Sequence, residues 1–414
     1  VMNKAIAGTR DILPEDIQKW TYLENLVHTT MNNFNYKEIR TPIFEETRLF
    51  KRSIGEATDI VSKEMYTFID RSETSITLKP EMTASVVRAL LEHSLDKQQQ
   101  LNKLYYIAPM FRQERPQAGR FRQFHQFGAE VLGSTSPLLD TEIIIIAYRI
   151  FQNLGLKNFS LKINSLGIPA SRDKYKNLLR DYLSDKIETL SDDSKQRLDT
   201  NILRLFDSKD ERDKAIMEQA PLLLDHLDEE SKEHFESVKE ILDGADIPYE
   251  VDPKLVRGLD YYTHTTFEIV SGSVGAQSAL CGGGRYDLLV KEIGERDVPG
   301  VGFAAGIERI LLACENEGVL PKIENKIDYY VVRLNKELSN EVFEIASNLR
   351  SKNQSVEIDY SLRSVKAQMR EANRLGAVKV LMVGGEEFER GKAALKDMCT
   401  GEQAEVEISE FMKK

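Results

Sequence analysis

The sequence predicts an α+β protein: a sheet domain interrupted by a helical module and followed by a small α/β domain. Three observations carry this. Two long runs, "LNKLYYIAPMFRQE" and "RFRQFHQFGAEVLG", read as strands joined by a basic loop with Pro116 and Gly119. From Gly167 to Gly244 charged helical segments dominate and aromatic residues are few. From Ile327 onward strand, helix, strand, helix and strand alternate, the pattern of a small domain with mostly parallel strands. At 414 residues the chain has mass for two or three cores.

The elements follow in order. Ile17, Trp20, Leu23, Val27, Thr30 or Met31, and Phe34 recur at helical spacing. "YKEIRTPIFEE" is strand-like but contains Pro42, which has no N–H for a ladder and suits an edge or an interface. "EMYTFIDRSETSITLKP" reads as a hairpin turning around Arg71 to Glu73, and a helix is expected from Met82 to His93. Leu138 to Leu154 is helical and "FSLKIN" is a short strand. After the helical module, strands resume at Tyr249 and run to "CGGGRYDLLV"; "VPGVGFAAGIERILLACENEG" is a glycine-rich strand entering a helix. These readings divide the chain into a sheet domain in two parts, 1–166 and 246–320, an insertion at 167–245, a linker "LPKIEN" and a terminal domain at 327–414.

Composition excludes several classes. A hydrophobic fraction of 41% with 30% charged residues fits a soluble globular chain. "IIIIAY" is far too short to span a bilayer, and "VMNKAIAGTRD" lacks the apolar stretch of a signal peptide. Three cysteines, Cys281, Cys314 and Cys399, are widely spaced and support neither a disulfide framework nor a zinc site, which points to a reducing cytoplasm. A net charge of -11 argues against a protein that simply coats nucleic acid, yet leaves room for local basic patches such as "RPQAGRFR".

Side chains alternate along a strand, so Arg120, Arg122, Phe124, Gln126, Gly128, Glu130 and Leu132 share one face, and Gln123, His125, Phe127, Ala129 and Val131 the other. Gly128 leaves a gap between Gln126 and Glu130 with room for a ligand, and a hairpin would bring Arg112 and Glu114 toward it. Such a floor can bind an anion, a polar group and a cation; a water-facing sheet surface is the alternative. His125 reads as a packed or hydrogen-bonded strand residue, since no second metal ligand is suitably spaced. In "GFAAGIERIL" the glycines let a helix start close to the sheet, and Arg309 could reach phosphate oxygens or make a surface salt bridge; no Gly-Lys-Ser/Thr follows. "LVRGLDYYTHTTFE" holds Arg257, Asp260, Tyr261, Tyr262 and His264 beside a glycine-allowed turn, either a solvated strand entry or part of a site.

Taken together, the helix and strand ending in Pro42, "MFRQE…RFRQFHQFGAEVLG" and "GFAAGIERIL" resemble motifs 1, 2 and 3 of the class II aminoacyl-tRNA synthetases. "LVRGLDYYTHTTFE", "LCGGGRYDLLV", "AGTRDILP" and "LKPEMTASVVRAL" are similar to peptides of the histidyl-tRNA synthetase family, from about Gly8 to the C-terminus. Met82 stands where many members have glycine. The resemblance implies an antiparallel catalytic sheet flanked by helices, a helical insertion and an anticodon-binding α/β domain. It implies ATP-dependent ligation of L-histidine to histidine tRNA through a histidyl-adenylate, Mg2+ accompanying ATP, no tightly bound cofactor and no metal held by the protein. It further implies a homodimer with Pro42 near the two-fold, in the cytoplasm and without membrane contact.

By the same resemblance, Arg257 and Arg112 are the catalytic arginines at the carboxylate and α-phosphate. Glu81, Thr83 and Gln126 are expected near the substrate amino group, Glu130 at the imidazole, and Tyr261 and Tyr262 as pocket walls, with Arg112 and Arg257 also touching histidine. Arg112, Glu114, Arg120, Phe124 and Arg309 are expected at ATP, with Phe124 stacking on adenine. A non-catalytic regulatory subunit of ATP phosphoribosyltransferase shares this fold, but typically lacks the terminal domain and carries an eroded arginine–tyrosine peptide; both features are intact in this sequence.

Overall fold

The computed structural model describes residues 3–55, 58, 60–117, 119–256, 259, 261–275, 279–322 and 326–412. The chain divides into two compact units, Val1–Leu320 and Pro321–Lys414.

The first unit contains strands β1 (Lys37–Glu38), β2 (Phe44–Glu46), β3 (Tyr66–Ile69), β4 (Ser75–Leu78), β5 (Asn102–Phe111), β6 (Gln123–Leu132), β7 (Phe159–Ser165), β8 (Glu250–Val251), β9 (Thr263–Ser271), β10 (Ala279–Arg285) and β11 (Gly300–Gly306). Eight of them form one sheet in the order β1-β5-β6-β11-β10-β9-β7-β8. Every pairing from β5 to β7 is antiparallel, and a two-residue parallel strand closes each edge. "YKEIRTPIFEE" thus breaks around Pro42 into two strands of different sheets, β2 pairing with β4 in the small sheet β2-β4-β3. The hairpin β3–β4 turns where the sequence places it, with Asp70 Oδ1 accepting from the backbone of Ser72 and Thr74.

The helix Pro14–Asn33 starts a few residues earlier than its apolar pattern, because Pro14 suits the first turn and Glu15 and Asp16 face the positive end of the helix. Its stripe of Trp20, Leu23, Val27 and Met31 packs against Phe127, Ala129 and Val131 of β6 and the helix Pro137–Asn153. The opposite face of β6 is not water-facing. Leu132 joins a second core with Met82, Tyr106, Tyr261, Tyr262 and Tyr286.

Between Gly167 and Ala245 lie the helices Pro169–Leu183, Asp192–Thr200, Glu211–Met217 and Glu229–Gly244. The first lends Tyr175, Leu179 and Leu183 to the core that contains Tyr261, and the last lends Phe235, Val238 and Leu242 to the core behind the main sheet. Among the described residues no helix is long and apolar enough to cross a membrane.

The second unit carries β12 (Tyr329–Arg333), β13 (Val356–Ile358), β14 (Lys379–Val383), β15 (Lys392–Asp397) and β16 (Gln403–Glu407), ordered β13-β12-β14-β15-β16. The first three are parallel and the last two antiparallel. The closing hairpin "KAALKD…QAEVE" is polar enough that its sequence does not announce a strand pair. Helices Ser339–Ser351 and Val365–Arg374 supply Val342, Ile345 and Ala346 to one core and Ala372 to another.

Candidate active site

The even-numbered side of β6 opens on a cavity of about 210 Å³ whose walls include Glu81, Thr83, Arg112, Glu114, Arg120, Phe124, Gln126, Tyr261, Tyr262 and Arg309. Ten residues read from the sequence therefore converge on one space. Arg257 and Asp260 lie outside the described residues.

Glu81 lies two residues before the helix Thr83–Glu92 and accepts from the backbone N–H of Thr83 (2.7 Å) and Ala84 (2.9 Å). These are donors that no helical carbonyl can satisfy. Burial pushes its carboxyl above the ordinary carboxylate range, and the two N–H groups pull it back. Met82 has φ -108°, ψ -25° and a buried side chain, so methionine sits at this position with unstrained backbone.

Arg112 lies just past β5, where its N–H donates to Arg122 O (2.9 Å). Its Nε donates to Pro80 O at 2.9 Å, and the guanidinium stands 5.3 Å over the Phe124 ring. Glu114 lies between two arginines, 3.8 Å from Arg112 Nη1 and 3.0 Å from Arg120 Nη1. Arg309 donates to Gly119 O and Ala279 O, so the helix opening with "GIERIL" hands this side chain to the basic loop. Burial and the nearby Arg120 hold its pKa below the usual guanidinium value. Arg122 precedes β6 and is not among the residues that line the cavity. Its N–H donates to Gly8 O (2.7 Å) and its Nε to Glu114 O (3.4 Å). Gly8 has φ +87°, and a Cβ there would lie 2.8 Å from Arg122 Cγ, which accounts for glycine in "AGTRD".

Gln126 Oε1 is buried without a hydrogen-bond partner. Glu130 does not reach the cavity surface. It is 1% exposed and accepts from Thr83 Oγ1 (2.7 Å), Tyr106 OH (3.3 Å) and Tyr286 OH. The space above Gly128 is not ligand room either. Tyr106 pairs with Gly128 in the ladder, and its hydroxyl lies 2.4 Å from where a Cβ would stand. Gly302 serves the same network, since a Cβ there would meet Glu130 Oε2 at 1.8 Å. His125 is a bonded strand residue, its Nδ1 3.0 Å from Glu308 Oε1 and its ring edge-on to Trp20.

A sequence model of the histidyl-tRNA synthetase family matches residues 8–310, and an anticodon-binding domain model matches residues 328–414. The chain belongs to the histidyl-tRNA synthetase family. It is 49% identical to a histidine–tRNA ligase of Halothermothrix orenii over 99% of this chain and 98% of that one. It is 46% identical to a histidine–tRNA ligase of Streptococcus pyogenes over 98% and 96%. The crystal structure of apo Staphylococcus aureus histidyl-tRNA synthetase superposes with a TM-score of 0.84 at 41% identity, covering 100% of both chains. A Bacillus halodurans structure described as an ATP phosphoribosyltransferase regulatory subunit/histidyl-tRNA synthetase has a TM-score of 0.64 at 22% identity, a likeness of fold alone.

Within this synthetase fold, sequence reasoning missed Tyr106 and Tyr286, the two phenols on Glu130. Tyr106 was legible in principle: a hairpin register that opposes a tyrosine to Gly128 fills the gap. Tyr286 carried no such signal beyond its place in "GGGRYD".

Burial drives the Glu130 carboxyl up from 4.5 to about 8, against the pull of the Tyr286, Thr83 and Tyr106 hydroxyls. The folded value lies above the unfolded one, so the stability this group contributes is full below pH 4.5 and is lost as pH rises through about 8. Glu130→Gln cannot ionise. Between pH 5 and 8 the wild type should therefore lose stability relative to the variant, by up to about 1.4 kcal/mol per pH unit, seen as a falling melting temperature. Parallel melting curves across that range would show that Glu130 does not titrate there.

Proposed function

We propose that the chain is a histidine–tRNA ligase that activates L-histidine with ATP and transfers it to histidine tRNA. The observation that carries this reading is one cavity lined both by acceptors for a cation, Glu81 and the unpartnered Gln126 Oε1, and by three arginines, Arg112, Arg120 and Arg309. An amino acid's ammonium suits the acceptors, and its carboxylate with a triphosphate suits the guanidinium groups.

The chemistry is a displacement at phosphorus. A carboxylate oxygen of histidine attacks the α-phosphate, the bond to the β-phosphate oxygen breaks, and pyrophosphate leaves. The carboxyl carbon of the adenylate is then attacked by a hydroxyl of the terminal adenosine of tRNA, releasing AMP. No covalent enzyme intermediate is required, so the side chains act by holding and neutralising. Arg112 holds the carboxylate and α-phosphate oxygens, as does Arg257 by its family match; Arg120 and Arg309 hold the outer phosphates. Phe124, already under the Arg112 guanidinium, offers its ring to adenine. Tyr261 and Tyr262, with ring centroids 4.7 Å apart, wall the imidazole side.

Glu130 acts on the imidazole through the hydroxyl network that it anchors. Glu130→Gln should accordingly raise KM for histidine more than KM for ATP. Magnesium arrives with ATP and supplies further charge neutralisation at its phosphates. Among the described residues no group of three or more His, Cys, Asp or Glu side chains could hold a metal of its own.

The functional protein is a cytoplasmic homodimer in this reading. Ile43, next to Pro42, is exposed, as is Phe44 at the start of β2, and Phe68 lies on the same sheet face as Phe44 by register. ATP–pyrophosphate exchange run across all amino acids tests the proposal. Exchange dependent on histidine alone supports it, and none with any amino acid would favour a regulatory, non-catalytic role.

A further inference from the structure

His264, in the middle of the "YYTHTTFE" peptide, has φ +45°, a left-handed conformation that suits glycine far better than histidine. The ladder explains the demand. Gly284 of β10 pairs with Thr266 of β9, but its neighbour Arg285 pairs with Thr263, so His264 and Thr265 are extra residues on β9. Such a bulge bends a strand and re-aims what precedes it. What precedes it is Tyr261 and Tyr262, both on the cavity wall.

The bulge is tied to the helical insertion. The His264 N–H donates to Gly167 O (3.0 Å), and the His264 carbonyl accepts from Leu166 N (2.7 Å), where the insertion begins. Arg172, on the first insertion helix, donates to Tyr262 O at 2.6 Å. The His264 ring stacks on His234 of the last insertion helix, with centroids 5.0 Å apart and planes at 28°. His234 is in turn fixed, its Nε2 3.1 Å from Asp140 Oδ1, and Asp140 is gripped by the fully buried Arg285, which also reaches Asp287. The His264 Nδ1 is buried with no hydrogen-bond partner. A strained residue with an idle ring nitrogen is not there for a hydrogen bond from that atom. Its contribution is the flat ring laid on His234.

We propose that His264 is a positioning residue: its stack on His234 locks the β9 bulge that holds Tyr261 and Tyr262 against the substrate histidine. The inference rests on the reading of those tyrosines as the wall of the histidine pocket. It makes the two ends of the insertion part of the amino-acid site without touching substrate.

The test is steady-state pyrophosphate exchange with histidine and ATP varied separately. His264→Gly keeps the backbone shape and removes the ring. It should raise KM for histidine roughly 3- to 30-fold, with KM for ATP unchanged and no loss of melting temperature. His234→Ala should raise KM for histidine in the same way, though with some loss of melting temperature because Asp140 loses a partner. The double variant should have a histidine KM no worse than either single one, and His264→Phe should recover most of the loss. A wild-type histidine KM in His264→Gly, equal rises in both KM values, or additive single effects would overturn the inference. Tyr262→Ala separates the two levels of the argument. If it leaves KM for histidine unchanged, the pocket reading falls and the inference with it. If it impairs histidine use while His264→Gly does not, the inference alone falls.

Discussion

Arg112→Ala should leave a folded protein that forms histidyl-adenylate about 100- to 1,000-fold more slowly, the usual cost of one preorganised partner of a developing charge. Arg112 is held for such a role from three sides: Pro80 O accepts from its Nε, the Phe124 ring lies under its plane, and Glu114 stands 3.8 Å from Nη1. A guanidinium so restrained loses little further freedom when phosphate oxygens arrive. The fold should survive, because Glu114 keeps Arg120 at 3.0 Å and the loop retains its backbone bond from Arg112 N to Arg122 O. Arg112→Lys should recover only part of the rate, since an ammonium cannot reproduce the planar fork. Histidine-dependent exchange and a thermal melt decide the matter: near-normal exchange by a well-folded Arg112→Ala would remove this residue from the reacting centre.

How much of this was legible in the sequence depends on how local each feature is. The helix Pro14–Asn33 could be read because Trp20, Leu23, Val27 and Met31 mark one helical face. The alternation in β6 was equally local. It correctly set Phe124 and Gln126 on the cavity side and Phe127, Ala129 and Val131 in the core. The same alternation placed Glu130 on the right face, but not at the right depth. Depth is set by Thr83, Tyr106, Tyr286 and Gly302, from four other segments, and no periodicity within β6 encodes them. The edge strands β1 and β8 show the same limit. Each has two residues and exists only because a long strand lies beside it. His264 is the most local failure: β-branched neighbours make "THTTFE" read as plain strand, and only the register against β10 exposes the bulge.

Most of the residues that line the cavity were nonetheless legible, and for a physical reason. Binding a charged, polar substrate pair requires arginines and acceptors at fixed spacing on rigid strands. Such residues stand out against the apolar alternation around them. The terminal hairpin β15–β16 is the reverse case. Gln403, Ala404 and Glu405 are exposed, so they carry neither an apolar stripe nor a chemical signature.

Ending the chain at Leu320 should separate the two halves of the activity. The unit Val1–Leu320 contains every cavity-lining side chain named above, and among the described residues its two main cores are built from residues up to Leu320. Pro321–Lys414 has cores of its own, around Val331, Ile345 and Leu381 and around Tyr330 and Val380. Each unit therefore has cores of its own to fold around. Histidine-dependent pyrophosphate exchange should persist at a substantial fraction of the full-length rate. Aminoacylation should fall about 100-fold or more, because anticodon contacts turn docking of the acceptor end into a linked event at raised effective concentration. The loss should appear mainly as a higher KM for tRNA, since the chemistry at the adenylate is untouched. Sedimentation and thermal melting of the truncated protein must accompany the assay, so that a failure to fold or dimerise is seen as such. A folded truncation that charges tRNA as well as the full chain would show that the unit Pro321–Lys414 does not supply the RNA contact that its family match implies.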